Sequence, residues 1–327
     1  MEPREGTGSA GDYHVPVMLK ETLDMLITDR AGVYVDGTFG GGGHSGEILA
    51  RLQAPGQLIA YDADTVAIER GRRKFDKYLA PDAAVRLDLR HERFDRACSI
   101  EEGKDFPCLA GLLLDLGVSS HQLDTDSIGL SYRVNGPLDM RFGSGGRSAA
   151  DLLATTDERD LERLLRQYGE EPNARRIARR LMGSRRAAPL STTFELRHEV
   201  EACVPPHVQP KTLARVFQAL RIAVNDELGQ LERILRCIVP KLCSGARIVV
   251  LSYHSLEDRI VKQIFKELSA TRVPDANNPK SNYREVDAPL RVLTKRPELP
   301  TKEEIARNPR ARSARMRVAE RTEHPIV

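Results

Sequence analysis

Short apolar runs alternate with helix-spaced apolar residues along the first third of this chain. His44–Leu52 and Thr65–Leu79 carry the three- and four-residue spacing of amphipathic helices. The runs of strand length before, between and after them are Val33–Val35, Gln57–Tyr61, Val85–Leu89 and Leu112–Leu116. This alternation predicts an α/β fold, with a parallel sheet covered by helices on both faces.

The alternation stops after Leu116. Asp151–Leu181 and Thr192–Val204 have helical spacing, and no strand signal stands between about residues 120 and 245. Leu213–Ile238 then predicts one long or broken amphipathic helix. An α/β core interrupted by an all-helical insertion is therefore expected.

The α/β pattern resumes near the C-terminus. Ala246–Ser252 predicts a strand and Leu256–Leu268 a helix, while Arg291–Leu293 and Ser313–Ala319 predict a closing pair of strands. We therefore divide the chain into a disordered tail (1–13), an α/β domain in two pieces (14–125 and 216–327) and a helical insertion (126–215).

Two clusters of arginine stand out although the net charge is only +3. The first contains Arg175, Arg176, Arg179, Arg180, Arg185 and Arg186. The second contains Arg307, Arg310, Arg312, Arg315 and Arg317. Either cluster alone fits a solvated helix face or strand edge equally well. Together they favour a phosphate-rich partner such as an RNA backbone.

Cysteine spacing and hydropathy indicate the cellular compartment in which the protein works. The five cysteines form no CxxC pair and no metal-ligand spacing with histidine, which predicts reduced packing residues and no metal site. No apolar run approaches the length of a membrane span. The first twelve residues carry Glu2, Glu5 and Asp12, unlike a signal or transit peptide. We expect a cytoplasmic protein with no membrane partner.

The candidate chemistry begins at residues 33–45, VYVDGTFGGGGHS, where a predicted strand opens into a glycine-rich loop and a helix. Such a loop brings backbone N–H groups against a nucleotide-like ligand, although a tight turn without a ligand has the same pattern. Asp62, at the next strand end, is placed to accept the hydroxyls of a ribose. Asp64 fits a helix N-cap better.

Three further strand ends face the same edge of the predicted sheet. Phe94 can cover an adenine or pack in the core. Asp115 ends an apolar strand and is expected to point into the cleft, since burying it unpaired would be costly. Ser255 and Asp258 have the spacing of a capping box, which leaves Tyr253 and His254 to face the cleft.

Seven segments together closely resemble the MraW/RsmH family of bacterial methyltransferases, which act on the N4 amine of a cytosine in small-subunit ribosomal RNA. They stand in order over about residues 14–322. They are DGTFGGGGHS, LLLDLGVSSHQLD, LSYRVNGPLDMRF, YGEEPNARRIAR, RVFQALRIAVNDEL, LSYHSLEDRIVK and NPRARSARMRVAER. Two positions depart from the usual family pattern: His121 replaces a common proline, and Gly143 replaces a frequent acid.

The resemblance implies a class I, Rossmann-like methyltransferase fold and the cofactor S-adenosylmethionine. It implies that Gly42, Gly43 and His44 hold the cofactor in the loop, and that Gln122 lines its pocket. It assigns Asp62, Phe94 and Asp115 to the same pocket. The expected partner is 16S rRNA in the 30S subunit, with a decoding-region cytosine as the target, and the insertion is predicted to recognise RNA and to offer a surface for a homodimer.

A cytosine amine is a weak nucleophile, so positioning is expected to supply most of the catalysis. Asp115, or the backbone carbonyls of 116–118, would accept a hydrogen bond from the amine, while Asp115 could instead hold the amino group of the cofactor. Tyr253, His254 and the loop Ser131–Arg141 are candidates for gripping the flipped base. Arg175, Arg176, Arg179, Arg180, Arg310, Arg312 and Arg315 are the candidate RNA ligands.

Three other functions compete with this interpretation. A nicotinamide-dependent oxidoreductase would share the glycine loop but leaves DLGVSS unexplained. A DNA amino-methyltransferase usually has an acid–Pro–Pro–aromatic tip on this strand. A non-catalytic RNA-binding assembly factor would not need the intact loop with Asp62 and Asp115, and it is the main alternative.

Overall fold

The structure is a computed structural model that describes residues 16–101, 107–118, 128–143, 145–274 and 283–323. The predicted tail 1–13, His121 and Gln122 lie outside these residues. The strands are β1 (Val33–Asp36), β2 (Gln57–Asp62), β3 (Arg86–His91), β4 (Leu109–Asp115), β5 (Leu242–Ser252), β6 (Arg272–Pro274), β7 (Tyr283–Glu285), β8 (Leu290–Val292) and β9 (Arg315–Arg321).

Among the described residues, seven of these strands form one sheet in the order β3–β2–β1–β4–β5–β9–β8. Strands β1 to β5 are parallel, whereas β9 runs antiparallel to both β5 and β8. The short strands β6 and β7 pair separately as a hairpin. The sheet confirms the predicted Rossmann-like α/β fold and its closing pair of strands, which the structure shows to be antiparallel.

Both faces of the sheet are covered, as a run of apolar residues in a central strand requires. In β4, Leu112 and Leu114 enter one hydrophobic cluster and Leu113 enters the cluster on the other face. The helices associated with the sheet are α1 (Leu19–Leu26), α2 (Gly43–Arg51), α3 (Thr65–Lys74), α4 (Asp76–Leu79), α10 (Glu227–Cys237), α11 (Ser255–Leu268) and α12 (Lys302–Arg307).

A third hydrophobic cluster lies among the helices between β4 and β5. These are α5 (Ala149–Thr155), α6 (Glu158–Gly169), α7 (Ala174–Ala187), α8 (Thr193–Glu201) and α9 (Gln209–Asn225). The predicted long helix is broken at Asp226, whose φ of 52° ends α9 and begins α10. Consequently α9 packs Phe217 and Leu220 in the third cluster, while α10 packs Leu231 beneath the sheet. No helix among the described residues is long and apolar enough to cross a membrane.

The prediction of reduced cysteines is wrong for four of the five. Within the described residues, disulfides join Cys98 to Cys237 and Cys108 to Cys243, across 139 and 135 residues, and Cys203 is a buried free thiol. No local spacing marks these pairs, because the fold brings together cysteines that are far apart in sequence. One joins the starts of the neighbouring strands β4 and β5, and the other joins the 3₁₀ turn Phe94–Ser99 to α10.

Candidate functional site

A cavity of about 1780 Å³ opens at the carboxyl ends of β1, β2, β4 and β5. Open parallel sheets bind their ligands at this edge. Pockets for single small ligands are usually 300 to ~1000 Å³, so this one has room for a cofactor and a nucleotide. Its walls are the glycine loop, the strand tips, one side of α9 and α10, and the segment 308–313.

The glycine loop forms the floor of the cavity and begins α2. Gly40, Gly41, Gly43 and His44 line the cavity, but Gly42 does not. Gly42 has a φ of 69°, and a Cβ there would meet the rings of Phe75 and Phe39. Its amide donates to the carbonyl of Phe39, 2.8 Å away. Gly42 therefore shapes the turn that presents Gly43 and His44, and its predicted contact with the cofactor stays a prediction.

Asp62 lies beside the loop with both carboxylate oxygens engaged. They accept from the amides of Gly40 at 2.7 Å and Asp64 at 2.8 Å. Burial raises the pKa of Asp62 to about 6, although those two N–H donors pull it down. Asp62 lines the cavity and keeps lone pairs for further donors. Asp64 caps α3 by accepting from the amide of Val66, which confirms the predicted cap.

Asp115 is held at the tip of β4 by three neighbours. Its Oδ1 accepts from the hydroxyl of Tyr253 at 2.7 Å, and its Oδ2 is 3.4 Å from Nδ1 of His44. Its amide donates to Oγ1 of Thr38 at 2.7 Å. Burial and the Asp115 carboxylate raise the pKa of Tyr253 well above its usual value, so Tyr253 remains a hydroxyl donor. The carboxylate faces the cavity, as the sequence predicted.

His44 connects Asp115 to the start of the described chain. Its Nε2 lies 3.2 Å from the carbonyl of Val17, and a carbonyl can only accept, so Nε2 carries a hydrogen. With Nδ1 facing Asp115, both ring nitrogens point at acceptors. Burial lowers the pKa of His44, but Asp115 and Asp36 outweigh it and the pKa is raised. The geometry therefore favours an imidazolium beside Asp115.

Helix α11 is capped one residue earlier in the sequence than predicted. His254, not Ser255, caps α11: its Nδ1 accepts from the amide of Glu257 at 3.4 Å, and Glu257 accepts from the amide of His254. The hydroxyl of Ser255 instead donates to Glu170. Asp258 is not free to form the predicted box because it pairs with Arg317, 2.6 Å away.

The chain shows extensive similarity to a known family. A model described as the MraW methylase family matches residues 12–322. This chain belongs to the MraW methylase family. It is 44% identical over 320 residues to a protein named ribosomal RNA small subunit methyltransferase H from Xanthobacter autotrophicus, covering 95% of this chain and 88% of the relative.

A second relative gives the same family. A protein of the same name from Gluconobacter oxydans is 45% identical over 308 residues, covering 93% of this chain and 92% of the relative. Among solved structures, an rRNA methylase from Streptococcus thermophilus aligns with a TM-score of 0.38 and 9% identity, covering 93% of this chain and 94% of that one.

The family uses S-adenosylmethionine, and the residues of the cavity fit this cofactor. Asp62 offers a carboxylate for ribose hydroxyls, and Phe94 offers an aromatic ring on the same wall. Helix α2 begins at Gly43, so its first N–H groups lack partners within the helix and suit a carboxylate. Asp115 offers an acceptor for an ammonium or amine.

The predicted RNA-binding arginines separate into two groups. Arg310 and Arg312 line the cavity, next to the buried Ala311 and Ala314 that anchor their segment. The other predicted ligands lie elsewhere. Arg175, Arg176, Arg179 and Arg180 are exposed on α7, where the last two pair with glutamates, and Arg315 is exposed at the start of β9 near Asp258.

Two arginines of the sequence clusters have structural roles instead. Arg185 donates to the carbonyls of Leu153 and Thr156, at 2.7 Å each, and so caps the end of α5. Arg317 is buried in β9 and bound to Asp258. Neither is positioned to bind RNA, although both belong to the arginine-rich segments.

The sequence interpretation missed the polar wall built by α9 and α10. Arg221 forms a two-bond pair with Glu227 at 2.9 and 3.0 Å, and both line the cavity. The side chain of Asn225 ties this wall to the loop of 131–141 by donating to Met140 and accepting from the amide of Phe142. The motif RVFQALRIAVNDEL carried this signal, because polar residues interrupt its apolar spacing.

Proposed function

We propose that this chain transfers the methyl group of S-adenosylmethionine to the exocyclic N4 amine of a decoding-region cytosine in 16S rRNA. The names of its relatives support a small-subunit rRNA substrate. One observation carries the proposed chemistry: the carboxylate of Asp115 lies in one cavity with the glycine loop and Asp62. A hydrogen-bond acceptor is therefore present where an amine would meet the methyl donor.

Asp115 is suited to orient an amine. A carboxylate has about four acceptor positions; Tyr253 occupies one on Oδ1, and His44 faces Oδ2. The remaining positions can accept an N4 hydrogen, which turns the nitrogen lone pair towards the methyl group. When bound, S-adenosylmethionine supplies a sulfonium methyl group, which is already electrophilic. As the N4–methyl bond forms and the sulfur–methyl bond breaks to leave a neutral thioether, Asp115 would stabilise the positive charge on N4 and take its proton.

We further propose that the helical segment 126–215 recognises RNA, with α7 and the segment 308–313 contacting phosphates. A base inside a folded RNA must leave its stack to reach Asp115. The cavity has the necessary room, and Arg310 and Arg312 stand on its wall. Exposed arginines on α7 would extend the contact along the backbone.

The test is methyl transfer from labelled S-adenosylmethionine to small ribosomal subunits and to naked 16S rRNA, followed by nucleoside analysis. Label recovered as N4-methylcytidine supports the proposal, and comparison of the two substrates shows when during assembly the enzyme acts. Tight cofactor binding without transfer to either substrate would favour a non-catalytic assembly factor.

A further inference from the structure

The segment 139–143 of the helical insertion carries an aromatic side chain to the cavity. Phe142 and Gly143 line the cavity together with Asp62, which ends β2, and Ala63. A Cβ at Gly143 would lie 3.0 Å from the carbonyl oxygen of Ala63, a tighter contact than Cβ atoms usually make. The backbone of this segment therefore passes directly beside the strand tip that offers its carboxylate to a ribose.

Asn225 connects Phe142 to the wall that carries Phe94. Its Oδ1 accepts from the amide of Phe142 at 2.9 Å, and its backbone carbonyl accepts from Nη2 of Arg93 at 3.0 Å. Arg93 directly precedes Phe94, which begins the 3₁₀ turn of that wall. Each phenylalanine thus lies within one residue of a hydrogen bond to the same asparagine. Asn225 therefore brings both aromatic residues to the same part of the cavity.

The segment is held in place by the protein itself. The amide of Met140 donates to the carbonyl of Ile128 at 2.7 Å, and the carbonyl of Met140 accepts from Nδ2 of Asn225 at 2.8 Å. Met140 is fully buried with a φ of 62°, a left-handed conformation that methionine keeps only where its surroundings impose it. Phe142 packs on the third hydrophobic cluster and also lines the cavity. Its ring is therefore supported on one side and available to a ligand on the other.

We propose that Phe142 packs on the adenosine of S-adenosylmethionine, so that the helical insertion completes the cofactor site built by the sheet. Asn225 is the positioning residue for Phe142. An adenine ring offers a flat apolar face, and aromatic side chains bind such faces. Asp62 would hold the ribose beside this ring. The inference rests on the use of S-adenosylmethionine by the family and not on the identity of the methylated base.

The test measures cofactor binding in the absence of RNA. Calorimetry gives the Kd of wild-type protein, Phe142→Ala and Phe142→Leu for S-adenosylmethionine, S-adenosylhomocysteine and 5′-methylthioadenosine. The last ligand keeps the adenosine but lacks the amino acid, so loss of an adenosine contact should weaken all three ligands equally. Phe142→Leu retains an apolar side chain on the third hydrophobic cluster and serves where Phe142→Ala does not fold. Phe194→Ala, which removes a 41% exposed phenylalanine from α8, is the matched control.

We expect Phe142→Ala to raise all three Kd values by a common factor of about 5- to 100-fold. Phe142→Leu should raise them about 2- to 10-fold, because leucine keeps an apolar contact but lacks the ring. Phe194→Ala should leave them unchanged. Wild-type Kd values in every folded Phe142 variant would overturn the inference, and so would a loss that spares 5′-methylthioadenosine. Wild-type cofactor binding combined with weaker RNA binding would assign Phe142 to the RNA instead.

A double-mutant cycle tests the positioning role of Asn225. Asn225→Ala removes the acceptor for the Phe142 amide, whereas Asn225→Asp keeps one. The cofactor Kd should rise in Asn225→Ala, and Phe142→Ala with Asn225→Ala should bind within about twofold of Phe142→Ala alone, because both changes remove the same contact. Asn225→Asp should bind more tightly than Asn225→Ala. Losses that multiply would contradict the positioning role. Methyl transfer does not enter these measurements, so failure of the proposed cytosine reaction would leave their result intact.

Discussion

Three neighbours hold the carboxylate of Asp115 in place at the edge of the cavity. Tyr253 and His44 approach different oxygens of Asp115, and Thr38 fixes its backbone. The sequence predicts the exposed acid at the strand end, because an unpaired charge inside an apolar core is costly. It does not predict Thr38, since a threonine two residues after a strand has no distinctive signal.

Asp62 is expected to give cofactor binding a pH dependence. In the unliganded protein, burial raises the pKa of Asp62 from 3.8 to about 6, so the folded state binds this proton more tightly than the unfolded chain does. The contribution of this proton to the free energy of unfolding is therefore lost as pH rises from 3.8 to about 6. Ribose hydroxyls need the ionised form as acceptor. The cofactor Kd should therefore rise about tenfold per pH unit below pH 6 and be flat above about pH 7.

Calorimetric titration of S-adenosylmethionine between pH 5 and about 7.5 tests this prediction. Asp62→Asn should bind more weakly at neutral pH and lose the dependence near pH 6. The same pH profile in Asp62→Asn would transfer the effect to His44 or Asp36, whose pKa values are also raised.

At the scale of elements, the disulfide Cys98–Cys237 joins two walls of the cavity. Cys98 follows Phe94 in its 3₁₀ turn, and Cys237 ends α10, which carries Glu227. Asp95 and Arg233 form a second link between the same elements at 2.9 Å. Breaking this disulfide should therefore let the turn that carries Phe94 move relative to α10.

Reductant should lower the free energy of unfolding by at least about 2–5 kcal/mol, the usual loss for one disulfide, because it breaks both long-range disulfides. Thermal unfolding with and without reductant measures this, and Cys203→Ala should leave the difference unchanged. Five reactive thiols in the denatured, unreduced protein would contradict the observed pairing.

The elements themselves were predictable to a large extent. Uniform apolar runs identify β1 to β5, because strands buried on both faces lack alternation. Local capping was less predictable: Ser255 is the better N-cap by type, yet the chain uses His254 because Asp258 is drawn to Arg317 in the distant strand β9. The cysteine pairs likewise depend on contacts between residues far apart in sequence.

In the molecule as a whole, positive side chains lie at the cavity although the net charge of the chain is small. Arg310 and Arg312 reach the cavity because the segment 308–313 crosses its edge. The sequence shows an arginine cluster but not which of its members face the cavity. Arg317, for example, belongs to the cluster and is buried in β9. Only the fold separates these roles.

RNA binding should therefore depend on salt through particular arginines. Arg310→Ala with Arg312→Ala should weaken RNA binding and reduce the slope of log K against log salt by about 1.4 to ~1.8, for two lost phosphate contacts. Filter binding over a salt series measures the slope. Arg72→Ala, exposed on α3 and away from the cavity wall, is the control and should keep it. An unchanged slope in the double variant would remove this segment from the RNA path.

The most direct test of the account is single-turnover methyl transfer by Asp115→Asn, measured together with the RNA Kd. Because Asp115 is proposed to act on the amine in the transition state, the rate should fall at least ~100-fold while the RNA Kd changes by less than about threefold. Calorimetry of cofactor binding on the same variant verifies that the site is intact. Equal losses in rate and RNA affinity, or a rate within a few-fold of wild type, would contradict a catalytic role for Asp115.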